Sequence, residues 1–215
     1  MNLFQNHRHV GLNAEVFWGE IAPCDHVLQI YESDDEFIDT LEGYVTSGFR
    51  AGESVIIIST PENLKALNER LRQQKWDLFS LTLQDQYIPL SAEQALDQFM
   101  IHGWPDENLF YHLLTNLLLR ARKRNRRVRA FGEMVALLWA KGHVGATVHL
   151  EHLWTQYCEA EAFSLFCAYP KSGFTDDANE SLTEICRCHS KSVSSNENGD
   201  RALTPTDALY RKAAS

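Results

Sequence analysis

Glu53-Ser-Val-Ile-Ile-Ile-Ser59 carries the strongest pattern in the chain. A strand with one wet face alternates apolar and polar residues, but Val55 to Ile58 is apolar and β-branched at every position. Such a run reads as a strand covered on both faces, and strands of that kind belong to parallel sheets whose crossovers are helices. Working outward, His26-Val-Leu-Gln-Ile-Tyr31 reads as a shorter strand. Ser33, with Asp34 and Asp35 behind it, supplies an N-cap and early negative charge for a helix that buries Phe37, Ile38, Leu41, Tyr44 and Val45. Thr60 and Pro61 open a second helix with Leu64, Leu67 and Leu71 on one stripe. Another strand is expected around Phe79 to Leu83. The capping box Ser91-Ala-Glu-Gln94 then starts a helix with Leu96, Phe99 and Met100 facing inward, and Pro105-Asp106 opens a longer one. Val128 to Phe131 reads as a strand, Met134 to Lys141 and Val144 to Ala160 as helices, and Phe163 to Ala168 as a closing strand. This alternation predicts an α/β domain, a mainly parallel sheet with helices on both faces and ligand sites at the C-terminal ends of its strands. Asp176 to Val193 offers one more helix through Leu182, Ile185, Cys186 and His189, and residues 194–215 read as a flexible tail.

With 44% hydrophobic and 23% charged residues, the 215-residue composition is that of a folded globular chain and excludes wholesale disorder. Lys and Arg together number 20 against 29 Asp and Glu, a net charge of -9. That deficit argues against general affinity for nucleic acid or anionic membrane, both of which need cations to displace counterions. Met1 to Ile21 lacks the apolar core and cleavage site of a signal peptide, and no apolar run is long enough to span a bilayer, so a cytoplasmic location is expected. The five cysteines then read as reduced thiols, with Cys167 as a small core residue.

A nucleotide-binding α/β domain places a glycine-rich loop with Lys after its first strand, whereas this chain has Glu32-Ser33-Asp34-Asp35 there and no GxxxxGK[ST] anywhere. Three carboxylates at that place would repel a triphosphate. Gly48-x-x-x-Gly52-Glu53 reads as a helix end and turn into the next strand. Glu133 follows the strand ending at Phe131, at the edge where α/β proteins bind ligands, and is read either as a ligand-facing acid or as a charge at a helix N-terminus. Glu151 falls inside the apolar arc of its helix among Val148, Leu150, Trp154 and Cys158, which predicts a buried carboxylate, either in a site or held by a structural partner. His26 has two readings as well, a structural residue or a pocket wall. Cys186-x-Cys188-His189 lacks the paired spacing of a zinc knuckle, and neither a metal nor a cofactor is expected. Arg120 to Arg129 is the strongly basic stretch, and Arg124, Arg126 and Arg127 are its candidate contacts for an acidic partner.

Several segments taken together resemble the MEDS domain, the sensory domain named for methanogens, methylotrophs and the dichloromethane-responsive repressor. They are His26-x-x-x-x-Tyr31, Gly48-Phe-Arg-Ala-Gly-Glu53, Val128-Arg-Ala-Phe-Gly-Glu-Met-Val-Ala-Leu-Leu138, Leu150-Glu-His-Leu-Trp154, Phe166-Cys-Ala-Tyr-Pro170 and Ile185-x-x-x-His189-Ser190. The resemblance implies a three-layer relative of the RecA and KaiC ATPases that has lost its phosphate loop, with a sensory domain over 25–193 behind an N-terminal extension, 1–24. It also implies a small organic, hydrocarbon-derived ligand, with His26, Tyr31, Glu133 and Glu151 as pocket or signature residues and Trp154 among the rings around it. No DNA-reading domain is expected before Asp25 and no kinase or receiver domain after Val193. Output would then pass to a separate kinase, phosphatase or regulator, without direct DNA binding and with a homo-oligomer allowed. Two rival functions are an enzyme using Glu133 and Glu151 for acid/base work or weak nucleotide turnover, and an interaction scaffold docking through residues 120–129.

Overall fold

Because Val55 to Ile58 has no polar face, its strand has to lie between two apolar layers, and the computed structural model places it there. Residues 16–174, 179–195 and 201–206 are described. In chain order they form β1 (His26–Tyr31), α1 (Asp34–Arg50), β2 (Ser54–Ser59), α2 (Pro61–Gln73), α3 (Leu78–Leu83), β3 (Tyr87–Ser91) and α4 (Ala92–Phe99). A small hairpin, β4 (Met100–Ile101) and β5 (Trp104–Pro105), leads into α5 (Glu107–Ala121) and β6 (Val128–Gly132). Then come α6 (Met134–Ala140), α7 (Val144–Glu161), β7 (Ser164–Pro170), α8 (Asn179–Arg187), β8 (Lys191–Ser195) and β9 (Arg201–Pro205).

Seven strands make one sheet in the order β3-β2-β6-β7-β1-β8-β9. Every neighbouring pair is parallel except β8 with β9. Successive side chains of a strand point to opposite faces, and the two cores divide accordingly. Val27, Val55, Ile57, Phe131 and Phe166 pack beneath α1 and α2. Leu28, Ile56, Ile58, Ala130, Leu165, Cys167 and Tyr169 pack beneath α4 to α8. His26, two residues before Leu28, therefore faces α7. The caps read from sequence are made: Ser33, Thr60, Ser91 and Asp106 each accept a hydrogen bond from the backbone N–H three residues on.

Three expectations are corrected. Residues 79–83 lie in a helix, α3, N-capped by Asp77, and the edge strand follows at Tyr87–Ser91. Phe163 to Ala168 does not close the sheet, because β8 adds to the other side of β1 and β9 pairs with β8. Strand β9 falls within the stretch read as a tail, of which 196–200 and 207–215 lie outside the described residues. Of the expected N-terminal extension, 1–15 also lie outside them, whereas Trp18 is buried against Tyr44 and Phe166, ring centroids 5.0 and 5.3 Å away.

The turn from α1 into β2 shows why two glycines are placed as they are. Gly52 has φ +71, a conformation that side chains with a Cβ resist, and its N–H closes the helix onto Phe49 O. Gly48 makes room: a Cβ there would come within 2.8 Å of the Arg129 side chain and 2.9 Å of Val55. Arg129 is buried across that gap, with Nε 2.6 Å from Glu53 Oε2, Nη1 donating to Tyr44 O at 2.9 Å, and its guanidinium over the Tyr44 ring.

Candidate functional site

At the C-terminal edge of the sheet the fold brings Tyr31 and Glu133 close to the ends of β2 and α2. Glu133 is the N-cap residue of α6, but its side chain makes no cap hydrogen bond to that helix. Its carboxylate turns instead to β2 and α2, where it accepts from Ser59 Oγ, from Thr60 N–H at 2.9 Å and from Asn63 Nδ2 at 2.7 Å. Burial raises its pKa, and these three donors pull it part of the way back. Tyr31 stacks on Phe37, centroids 4.9 Å apart, and its hydroxyl pKa is raised by burial and then by the nearby charges of Glu133 and Asp34. Asn63 also lines an open groove of about 580 Å³ between α1 and α2, together with Asp34, Asp35, Glu62, Glu69 and Arg70. Arg70 is already engaged with Asp39, Glu42 and Asp35.

Because Glu133 accepts from three donors, Glu133→Gln turns one acceptor into an NH2 group facing other donors. It is expected to cost about 1–3 kcal/mol, read as a lower midpoint in urea unfolding. An unchanged midpoint would show that the carboxylate does not tie α6 to α2.

A second group lies inside the layer between the sheet and α7. Glu151 is completely buried, with Tyr169 Oη donating to its Oε1. Its other oxygen, Oε2, is 3.5 Å from His26 Nε2 and 3.8 Å from His189 Nε2. The two imidazoles lie against each other, centroids 3.8 Å apart, and Cys167 Sγ is 3.3 Å from His26 Nε2. Burial pushes the Glu151 carboxyl up to about 8, against the hydrogen bonds from Tyr169 and Cys167. Burial also lowers both imidazoles, His189 to about 4. With neutral rings these approaches are not ion pairs. They are uncharged donor atoms held within coordinating distance of one another, and such a set suits a cation or a shared proton.

The structure thus separates residues that the sequence had grouped. Tyr31 and Glu133 stand at the strand edge, while His26 and Glu151 lie in the interior, and Glu133 and Glu151 share no hydrogen-bond partner. Sequence reasoning missed Cys167, Tyr169 and His189 as members of the interior group. The alternation of β7, which puts Cys167 and Tyr169 on one face, was the available signal; for His189 it was the stripe shared with Leu182, Ile185 and Cys186, although His189 itself lies just past the end of α8. Trp154 packs edge-on against Phe110 at 5.2 Å, beside a cavity of about 10 Å³ lined by Ile56, Leu114, Leu118, Ala130, Tyr157 and Phe163. That is the limit for about one water molecule.

The basic run is engaged within the chain. Arg124 Nη1 donates to Gln84 Oε1 at 3.0 Å, Arg126 reaches Ser54 Oγ and Gln84 O, and Arg127 approaches Glu53 at 3.6 Å. Arg120 and Lys123 pair with Asp85, and Arg122 with Glu161.

Among the described residues no helix is long and apolar enough to cross a membrane. No protein of curated function matches the chain. The family model that does match, MEthanogen/methylotroph, DcmR Sensory domain, runs over residues 25–190. Those limits open one residue before His26 and close one after His189, so they take in both groups just described. With more than half of its length matched in this way, the chain belongs to the MEDS family of sensory domains.

Proposed function

We propose that this chain is a non-catalytic signal-transduction module that binds a small organic, hydrocarbon-derived ligand in a degenerate nucleotide cleft and relays binding to a separate signalling protein. The cleft is the C-terminal edge of the sheet, where Tyr31, Glu133 and the groove between α1 and α2 meet. The observation that carries this reading is the chemistry of that edge within a sensory family. Where a RecA- or KaiC-like ATPase would hold phosphate, this chain has Glu32, Asp34 and Asp35, and the groove's Arg70 is already paired with acids. A neutral or cationic organic molecule suits such walls and a triphosphate does not. The enzyme reading is weakened because Glu133 and Glu151 belong to separate hydrogen-bond networks. The scaffold reading is weakened because the side chains of the basic run already hold the loop before β6.

The test is native mass spectrometry of the freshly purified chain, compared with its denatured mass and repeated with Mg-ATP. A retained organic mass that is lost on denaturation supports the sensory reading and identifies the ligand's chemistry. A stoichiometric nucleotide adduct would overturn it. A chain that carries nothing, and whose melting is unmoved by short alcohols, chloromethanes and methylamines, would shift the reading to a scaffold.

A further inference from the structure

Two imidazoles, a carboxylate and a thiol meet beneath α7 and α8, each from a different part of the fold: His26 from β1, Glu151 from α7, Cys167 from β7 and His189 from the α8–β8 connection. One ligating atom of each lies within 4.8 Å of all the others, and all four residues are buried. The backbone decides which ring nitrogen faces inward. A carbonyl oxygen only accepts, so Nδ1 of His26, 2.9 Å from Cys188 O, and Nδ1 of His189, 2.6 Å from Ile185 O, each carry the hydrogen. Both Nε2 atoms therefore turn lone pairs towards Glu151 Oε2. The Cys167 thiol, 3.3 Å from His26 Nε2 and also bonded to the Glu151 carboxyl, is one hydrogen source there. Glu151 Oε2 and His189 Nε2 have no hydrogen-bond partner among the described residues, and the Tyr169 hydroxyl is committed to Oε1. Lone pairs that converge in a dry interior are costly unless a metal ion or a proton lies among them, and four ligating atoms from four parts of the fold are more than one shared proton needs.

We infer that His26, Glu151, Cys167 and His189 form a four-ligand site for a divalent transition-metal ion, with zinc the best fit. Tetrahedral zinc bonds of about 2.0–2.3 Å put neighbouring ligand atoms roughly 3.3–3.6 Å apart. Of the six separations among four ligand atoms, His26 Nε2 to Cys167 Sγ at 3.3 Å and to Glu151 Oε2 at 3.5 Å fall in that range, Glu151 Oε2 to His189 Nε2 at 3.8 Å is just outside it, and all six are within 4.8 Å. The mixed nitrogen, sulfur and oxygen set selects against calcium and magnesium, which take oxygen. The two Nδ1–H bonds to carbonyls and the Tyr169 hydroxyl are outer contacts of the kind that hold metal-binding imidazoles and carboxylates in place. Four buried protein ligands leave no open position for a substrate, so the ion is structural and ties α7 and the α8–β8 connection to β1 and β7. An organic ligand at the sheet edge neither requires this ion nor replaces it.

The tag-free 215-residue chain, purified without chelator, should carry a single metal ion per chain by elemental analysis. After stripping, zinc at about 100 times its dissociation constant should raise the melting temperature by about 5–10 °C. Cobalt(II) should give the visible bands of a tetrahedral site and a thiolate-to-cobalt charge-transfer band. Cys167→Ser should lose that charge-transfer band, His189→Gln should lose the zinc-dependent gain in melting temperature, and His112→Gln, on exposed α5 surface, should keep both. If the variants do not fold, the cobalt spectrum of the unmutated protein decides. Metal-free protein that neither binds cobalt nor responds to zinc, iron(II), manganese or nickel would overturn the site, and a cobalt spectrum without thiolate charge transfer would remove Cys167 from it. Native mass separates this result from the sensory one, since a retained organic molecule and a retained ion differ in mass and in sensitivity to chelator.

Discussion

Replacing Arg129 by Met lowers the stability of the protein by about 3–5 kcal/mol, the usual cost of leaving one partner of a buried ion pair without the other. Arg129 is 2 % exposed and Glu53 7 %, so the carboxylate left behind has little water to turn to. Arg127 approaches Glu53 at 3.6 Å, but its side chain is 63 % exposed, and so solvated a cation is a poor substitute. The loss extends beyond the pair, because Tyr44 O also gives up a donor and the Tyr44 ring its cation. For a chain of this size the melting temperature should fall by about 6–20 °C. Combining Arg129→Met with Glu53→Leu should recover much of that, since an apolar pair leaves no buried charge unmatched. If the single variant melts within a degree or two of the parent, the pair is not what holds α1 to β6.

Trp154→Ala has a comparable effect for a different reason. The ring is 1 % exposed and fills the space beneath α5, so its removal should cost about 3–5 kcal/mol. What remains is an apolar cavity on the order of 150 Å³, a size at which dry cavities accept benzene. Benzene should then raise the melting temperature of Trp154→Ala and leave the parent unmoved. Trp154→Phe should lose less than Trp154→Ala, because it leaves a smaller cavity and Nε1 has no hydrogen-bond partner among the described residues to give up. The outcome that sinks this account is a parent protein that itself gains from benzene. Trp154 would then be a wall of a working pocket, as the resemblance first suggested, and not a packing residue.

The sheet was legible where local chemistry and burial agree. Val55 to Ile58 could only be a doubly covered strand, and the caps at Ser33, Thr60, Ser91 and Asp106 were each visible one residue before their helices. Leu78 to Leu83 misled because a short apolar run has the same composition in either state. Asp77 holds it helical by accepting from Ser80 N–H, and Phe79 and Leu83 project outward, 79 % and 75 % exposed. The true strand was masked by Pro89, which argues against a central strand but is tolerated at a sheet edge, where β3 pairs with β2 alone among the described residues. Strand β9 lies in a stretch whose Ser, Asn, Asp and Ala content read as tail, and Lys191 to Val193 of β8 were read as the end of the last helix. Of the interior group, burial of Glu151 followed from its helical arc. Its meeting with His26, Cys167 and His189 depends on strand order, which no local pattern encodes.

Strand β1 is the earliest strand among the described residues, yet both of its partners, β7 and β8, come about 130 residues or more later. During synthesis at roughly 5–20 residues per second, its apolar residues wait about 7–27 seconds before a neighbour exists. Until then β2, β3 and β6 can pair among themselves while Val27, Leu28 and Ile30 have no sheet to join. Contacts of such long range are slow to form and leave an aggregation-prone edge exposed in the meantime. The strand made first is thus paired only once β7 has emerged, and folding yield should depend on how quickly β7 follows α7 out of the ribosome.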